Sequence, residues 1–436
     1  MLGRNREVAL KRLRTVVWFA VAWVVGAGVV AAGPAAPPQL RYVVIITRHG
    51  VRSPTWTRER LNQYSSEPWP EWNVPPGNLT PHGRVLMQLM GSYYREWLSS
   101  GHLLSETGCE VAGRIYIHAD TDERTLATGR ALADTLLPGC AVSVHSAPEG
   151  SHDPLFSPSA AGAAKPDWEI AAQAVRARLG DNPQQFPDSH RAAFEALQHV
   201  LAGGGTPKKL IGPPEEISVS VTNKGIELSE PLGLASTLSE DLLLEYAEGM
   251  KGKDLAWGRL DADTLLRVLE LHAAYADLTR RTPYLARARG SNLLEHVLRS
   301  IEQAETGKAA PGALDPPGTT VLVLVGHDTN LSNLSGILGL SWHLPGYQPD
   351  DTPPGGALIF SLWQQSDSGR YFVRTQYLAQ TLEQMRSSSP LTLATPPAKE
   401  DVTVAGCESA TVTIGCSWDI FTKAIEGAID NRFVSR

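Results

Sequence analysis

The chain is poor in cysteine, with four in 436 residues, and no two of them stand in a C-x-x-C spacing. It also lacks an H-E-x-x-H run, so neither of these common zinc-ligand patterns is present. It has no low-complexity tract, and its 42% hydrophobic and 19% charged content is that of a globular chain. The length suits one large domain with an insertion, or two domains. An excess of basic charge is missing as well: the formal net charge is −7, which argues against nucleic acid as a partner.

The long apolar run is residues 16–30, preceded by Arg4, Arg6, Lys11, Arg12 and Arg14 and closed by Val30-Ala31-Ala32. That order of basic, apolar and small residues describes a secretory signal peptide over residues 1–33, removed from the mature chain. An uncleaved anchor is the alternative, since the run is near the lower limit for a bilayer span. Gly26, Gly28 and the closing alanines weaken it where a signal peptidase would cut. Removal takes away five basic residues and one acid, Glu7, and moves the formal charge from −7 to −11. A periplasmic or secreted protein without stable membrane contact is expected. In an oxidising compartment an even number of cysteines suggests disulfides. Three pairings are possible; Cys109 with Cys140 would bracket one strand–helix unit and Cys407 with Cys416 would close a short polar loop, and these are the expected pairs.

The organising stretch is residues 42–55, YVVIITRHGVRSPT. Residues 42–47 form a short, continuously apolar, β-branched run, which predicts a buried parallel strand. Arg48, His49, Gly50 and Arg52 follow at once, so two guanidiniums and an imidazole leave the carboxyl end of a strand, where open α/β sheets bind ligands. Arginine forks match phosphate oxygens and keep their charge, and a neutral imidazole nitrogen can attack phosphorus. A surface loop with solvated arginines is the rival reading, but the whole RHGxRxP pattern directly after a strand favours chemistry.

Further along, residues 34–40 read as a linker, and residues 56–78, with Trp56, Trp69 and Trp72 among prolines, as a long loop over the site. Thr80 and Pro81 open a helix that runs to Gly101. Residues 114–118 alternate like a strand and lead through residues 119–125 into a helix, which puts Arg124 at a second strand–helix junction. Residues 141–145 predict another short strand. From about 150 to 305 helical patterns dominate (188–202, 236–250, 262–280 and 291–303), with a joint at 203–214. Sheet character returns at residues 319–325, TTVLVLV, which run into Gly326-His327-Asp328 and a helix to residue 340. Two later strands, 356–363 and 371–377, precede the 407–416 loop and a closing helix, 417–429. A second His-Asp pair, His152-Asp153, has no strand before it and is read as structural.

Phosphoryl transfer needs a nucleophile, fixed positive charge on the phosphoryl oxygens and a proton for the leaving oxygen. His49 would attack, Arg48, Arg52, Arg124 and His327 would hold the group, and Asp328 would protonate the departing alkoxide. The arginines would supply the electrostatic role of a metal, so no metal and no cofactor is expected.

RHGVRSPT, DTDERT and GHDTN, in that order, resemble the histidine acid phosphatases, the second branch of the histidine phosphatase superfamily, and are most similar to the bacterial periplasmic phytase/acid phosphatase group. The similarity extends through LTPHG (79–83), HDPLFSP (152–158), residues 327–344 and TPPGG (352–356). Cysteine separations of 31 and 9 match two disulfides of that group. The resemblance implies a phosphoglycerate-mutase-like α/β domain with a central mixed sheet (34–148 and 306–436) and a smaller inserted α-helical domain (149–305), with the site between them. It implies an acid phosphomonoester hydrolase, a phytase or a sugar-phosphate phosphatase of glucose-1-phosphatase type, acting through a phosphohistidine on a small phosphomonoester, as a monomer. A phosphomutase and a non-catalytic phospholigand-binding protein are the other readings, and Asp328 argues against the last. The resemblance also implies outer pocket positions at Thr55, Glu240 and Arg289. The chain departs from it at Trp56, where phytases of this group place a lysine that would hold further phosphates.

Overall fold

The computed structural model describes residues 37–105, 108–215, 217–222, 225–408 and 415–435. The expected signal peptide lies outside the described residues. In chain order the first half contains β1 (Gln39–Arg48), α1 (Arg58–Leu61), α2 (Pro81–Ser100), β2 (Ile115–Ala119), α3 (Glu123–Leu136), β3 (Val144–His145), α4 (Trp168–Leu179), α5 (Gln185–Ser189) and α6 (Arg191–Ala202). The hairpin β4 (Val219–Thr222) and β5 (Gly225–Leu228) follows, then α7 (Glu230–Ala247), α8 (Ala262–Arg280) and α9 (Pro283–Thr306). The chain closes with β6 (Val321–Gly326), α10 (Asp328–Leu338), β7 (Ala357–Gln364), β8 (Tyr371–Ala379), α11 (Leu382–Ser387), β9 (Ala398–Asp401), β10 (Cys416–Ser417) and α12 (Trp418–Ala428). No helix among the described residues is long and apolar enough to cross a membrane.

Eight strands form one mixed sheet in the order β10-β8-β7-β1-β6-β2-β3, with β9 on β8. β1, β6, β2 and β3 are parallel neighbours, and β7 begins the antiparallel half. The apolar runs at 42–47 and 321–325 become the central strands because both of their faces are covered. Val43 and Ile45 pack with Met87, Met90 and Leu132 under α2 and α3. Tyr42, Val44 and Ile46 pack on the other face with Leu294, Val297 and Leu298 of α9 and Leu331 of α10. Each such aliphatic side chain contributes about 1.5–3 kcal/mol by leaving water, so a slip of one residue would trade two filled faces for mismatched ones. A third apolar core, around Phe194, Leu197, Leu242 and Leu269, belongs to the helical part and takes in Leu61, Tyr64 and Trp69 of the loop after the motif. The two disulfides are Cys109–Cys140 and Cys407–Cys416.

Several elements differ from the sequence reading. α9 starts at Pro283 rather than at residue 291, because Pro283 suits the first turn of a helix and the residues after it, apart from Gly290, are helix formers. α7 likewise starts early, at Glu230 with Pro231. The helix α4 and the β4–β5 hairpin stand where no element was expected, and only Val144 and His145 of residues 141–145 pair with β2.

Candidate active site

Register sets the site. On β6, Gly326 lies opposite Arg48 of β1, and Val325 opposite Ala119 of β2. Three parallel strands therefore end at one level, and the next residues of each, His49, Asp120 and His327, meet. The backbone N–H of His49 donates to Gly326 O (3.0 Å) and that of Asp120 to Val325 O (2.9 Å), which extends the ladder one step into the site. The loop of residues 352–356 braces the same edge: Gly355 N–H donates to His49 O at 3.0 Å, and Arg48 Nη1 donates to Thr352 O at 2.7 Å.

The turn at Gly50 is built on close contact. A Cβ on Gly83, in the first turn of α2, would sit 2.1 Å from Val51 O, and one on Gly50 would sit 2.7 Å from Met87 Cγ. The LTPHG segment is thus the floor under the RHG turn, and Arg52 bridges back to Leu79 in the sheet manner.

His49 Nδ1–H donates to Gly50 O at 2.8 Å. That bond leaves the Nε2 lone pair uncommitted. Its ring and that of His327 are 5.6 Å apart at 70°. Burial, and then the guanidiniums of Arg48, Arg124 and Arg52 together with His327, holds His49 well below the usual histidine range. It therefore keeps to lower pH than an ordinary histidine the neutral form in which the nitrogen is a nucleophile.

The clamp is anchored by acids from other elements. Glu240 of α7 accepts from Arg48 Nη2 through one oxygen and from Arg52 Nη2 (3.2 Å) through the other. Burial pushes its carboxyl up, but Arg52 and Arg48 pull it down to about 2. Arg124 Nη2 donates to Asp122 Oδ2 at 2.7 Å and faces His327 Nδ1 at 3.5 Å, while His327 Nε2–H donates to Asp120 Oδ2 at 2.8 Å. The Nε groups of Arg48, Arg52 and Arg124 have no hydrogen-bond partner among the described residues. Asp328 heads α10 and takes Arg280 Nη1 of α8 on its Oδ2, with His272 Nε2 at 3.9 Å. Burial raises the Asp328 carboxyl, and Arg280, Arg48 and His272 overcome that and hold it well below the carboxylate range.

His49, Arg52, Arg124, His327 and Asp328 line one cavity of about 390 Å³. Two groups of side chains in and beside it bring ligand atoms within 4.8 Å of one another, Asp120 with Asp122 and His327, and Glu240 with His272 and Asp328. Both groups are already paired with guanidiniums, Arg124 on Asp122 in the first and Arg48, Arg52 and Arg280 on Glu240 and Asp328 in the second. A cation at either place would have to displace them. The unpartnered Nε–H groups of Arg48, Arg52 and Arg124 are of the kind that suits anionic oxygens.

Residues 39–377 match the family model of the histidine phosphatase superfamily, branch 2. The chain belongs to that family. As a histidine acid phosphatase it is a phosphoric monoester hydrolase. It is 38% identical over 407 residues to phytase AppA of Escherichia coli, covering 89% of this chain and 92% of that one. To the glucose-1-phosphatase of Providencia rettgeri it is 28% identical, covering 90% and 92%. Among solved structures, the Hafnia alvei phytase in complex with myo-inositol hexakis sulphate superposes with a TM-score of 0.83 at 33% identity, covering 92% of this chain and all of that one.

The outer positions of this histidine phosphatase are less uniform than the sequence implied. Glu240 is not at the rim; it lies beneath the clamp. Thr55 is exposed near Arg124, close to Gly77. Trp56 lines a separate cleft of about 260 Å³ and not the cavity of His49, with the Arg60 guanidinium 3.5 Å from its ring centre. Arg289 lines an adjoining cavity of about 620 Å³, which shares Ser157 and Thr329 with that of His49. Asp153 is spent on His118 (2.7 Å) and on Leu155 N, whereas His152, read as structural, lines the same cavity as His49. Sequence reasoning passed over Asp120, Asp122, His272 and Arg280. Asp120 and Asp122 sit inside the DTDERT motif, so their place was readable; His272 and Arg280 lie within α8, where nothing local distinguishes them from ordinary helix residues.

Proposed function

We propose that this histidine phosphatase cleaves phosphomonoesters at acid pH through a phosphohistidine on His49, and that inositol hexakisphosphate is among its substrates. The observation that carries the reading is the His49 Nδ1–H to Gly50 O bond, because it fixes the tautomer whose Nε2 lone pair faces a ring of guanidiniums. In the first step Nε2 attacks phosphorus, the bond from phosphorus to the ester oxygen breaks, and that oxygen takes the proton of the Asp328 carboxyl. Arg48, Arg52, Arg124 and His327 hold the phosphoryl oxygens, and the unspent Nε donors of the three arginines would find partners there. In the second step water attacks phosphorus, the P–N bond breaks, and Asp328 receives a proton from the water.

Several features support phytate. The catalytic cavity adjoins the larger one, whose lining includes Lys165 and Arg289, and Arg289 has no carboxylate partner among the described residues. Relatives of full length are named phytases. A glucose-1-phosphatase type of specificity is the second reading, favoured by Trp56 in place of a lysine and by relatives of that name. Export, with residues 1–33 as the leader, fits the two disulfides, and residues 149–305 serve as the inserted domain that supplies Glu240, His272 and Arg280 from above the sheet.

The reading is tested by release of phosphate from an aryl phosphate and an alkyl phosphate. His49→Ala is expected to lose both. Asp328→Asn is expected to lose the alkyl ester, with its poor leaving group, at least tenfold more than the aryl ester; equal losses would end the acid role. Turnover of phytate below that of glucose 1-phosphate at acid pH would favour the second reading.

A further inference from the structure

The chain carries adjacent arginines, Arg280 and Arg281, at the end of α8, and the fold sends them to different places. Arg281 is a brace: its guanidinium reaches Ser335 Oγ (2.7 Å), Leu340 O (3.0 Å), Asp350 (3.1 Å) and Asp277 (3.3 Å). Among the described residues Arg280 makes one ion pair, with Asp328 Oδ2, and both side chains are 14% exposed. Asp328 is the carboxyl that must carry a proton to the leaving oxygen, yet in this structure it is held by a cation that favours the unprotonated form.

We propose that Arg280 is a positioning residue for the proton donor, pinning Asp328 at the wall of the catalytic cavity as a carboxylate between turnovers, so that its proton enters only when a tetrahedral anion binds. The inference rests on Asp328 as the acid. The charges facing that carboxyl come from several elements: Arg280 and His272 from α8, Arg48 from the end of β1 and Arg124 from α3 attract the ionised form, and Glu240 from α7 opposes it. Of these, Arg280 is the only one within hydrogen-bonding distance among the described residues. A dianion placed beside His49 would add negative charge at short range and draw a proton onto Asp328. The Oδ2–H bond forms with a proton from solvent as the contact to Arg280 loosens; when the ester bond breaks that proton passes to the leaving oxygen, Asp328 takes another from the attacking water, and it gives that one up to solvent when phosphate leaves and the carboxylate returns to Arg280. Arg280 thus resets the acid after each cycle and keeps the empty site from holding a neutral carboxyl.

Calorimetric titration with sulfate, a tetrahedral dianion that brings no proton at pH 5, tests this in two buffers of different ionisation heat. The wild type is expected to take up about one proton per sulfate bound. Arg280→Gln should take up less than half as much, because its Asp328 is already protonated, and Arg280→Lys should restore uptake, which a loss of folding could not mimic. Asp328→Asn should abolish it. Undiminished uptake in Arg280→Gln, with uptake lost in Asp328→Asn, would overturn the role of Arg280 while leaving the acid in place. Undiminished uptake in Asp328→Asn would place the proton elsewhere and overturn both.

Discussion

Replacing Glu240 by Gln removes one negative charge and keeps the shape, so it isolates what that carboxylate does. It is ion-paired with two guanidiniums at once, Arg48 and Arg52, whose residues are 1% and 6% exposed. Its carboxyl is depressed from 4.5 to about 2. At about 1.4 kcal/mol per unit this is roughly 3 kcal/mol of stability, and breaking a buried pair from one side costs about 3–5 kcal/mol. Because the side chain retains 12% exposure, about 2–4 kcal/mol is expected in urea unfolding at pH 6. The sign with pH follows: a depressed carboxyl stabilises above its unfolded value of about 4.5 and loses that contribution as pH falls toward 2. The difference between wild type and Glu240→Gln should therefore shrink from pH 6 to pH 2.5. Inorganic phosphate should rescue the variant more than the wild type, since it would satisfy the freed guanidiniums; at a hundredfold its Kd a ligand adds about 2.7 kcal/mol. A variant within 0.5 kcal/mol of wild type, with equal response to phosphate, would refute the claim that Glu240 is the counter-charge that holds the clamp.

Two further outcomes follow from the same environment. Asp241 is fully buried beside Glu240, its Oδ2 has no hydrogen-bond partner among the described residues, and burial raises it to about 8. Its stabilising protonated state is present at low pH and is lost as pH rises from about 4 to 8, so Asp241→Asn should match wild type near pH 3.5 and exceed it by about 2–4 kcal/mol at pH 7 in urea unfolding. Gly83→Ala would press a Cβ against Val51 O, where the unrelaxed distance is 2.1 Å; it should lower kcat at least tenfold by moving the RHG turn, and an unaltered kcat would show that the turn does not depend on α2.

What was legible in the sequence was local. The runs at 42–47 and 319–325 declare central strands because apolar, β-branched residues buried on both faces leave no polar alternation, and the groups following each strand end at one level once the register is fixed. The helical part was less legible. Pro283 and Gly290 interrupt the appearance of a helix that in fact runs for 24 residues, and the β4–β5 hairpin is too short to announce itself. Glu240 was found through resemblance, but its depth was not, because nothing in LASTLSE says that its carboxylate will meet two arginines from a strand end almost 200 residues earlier. Arg280 was invisible for a related reason: in a chain segment with four arginines, only tertiary contact decides which one meets Asp328.

Rapid acid-free quenching of the enzyme with a phosphate-labelled ester, followed by peptide mapping, addresses the central claim most directly. The expected result is an acid-labile, base-stable label on the peptide that contains His49, formed within a single turnover and absent from His49→Ala. Label on another residue, or a full burst of released alcohol with no labelled protein, would contradict it.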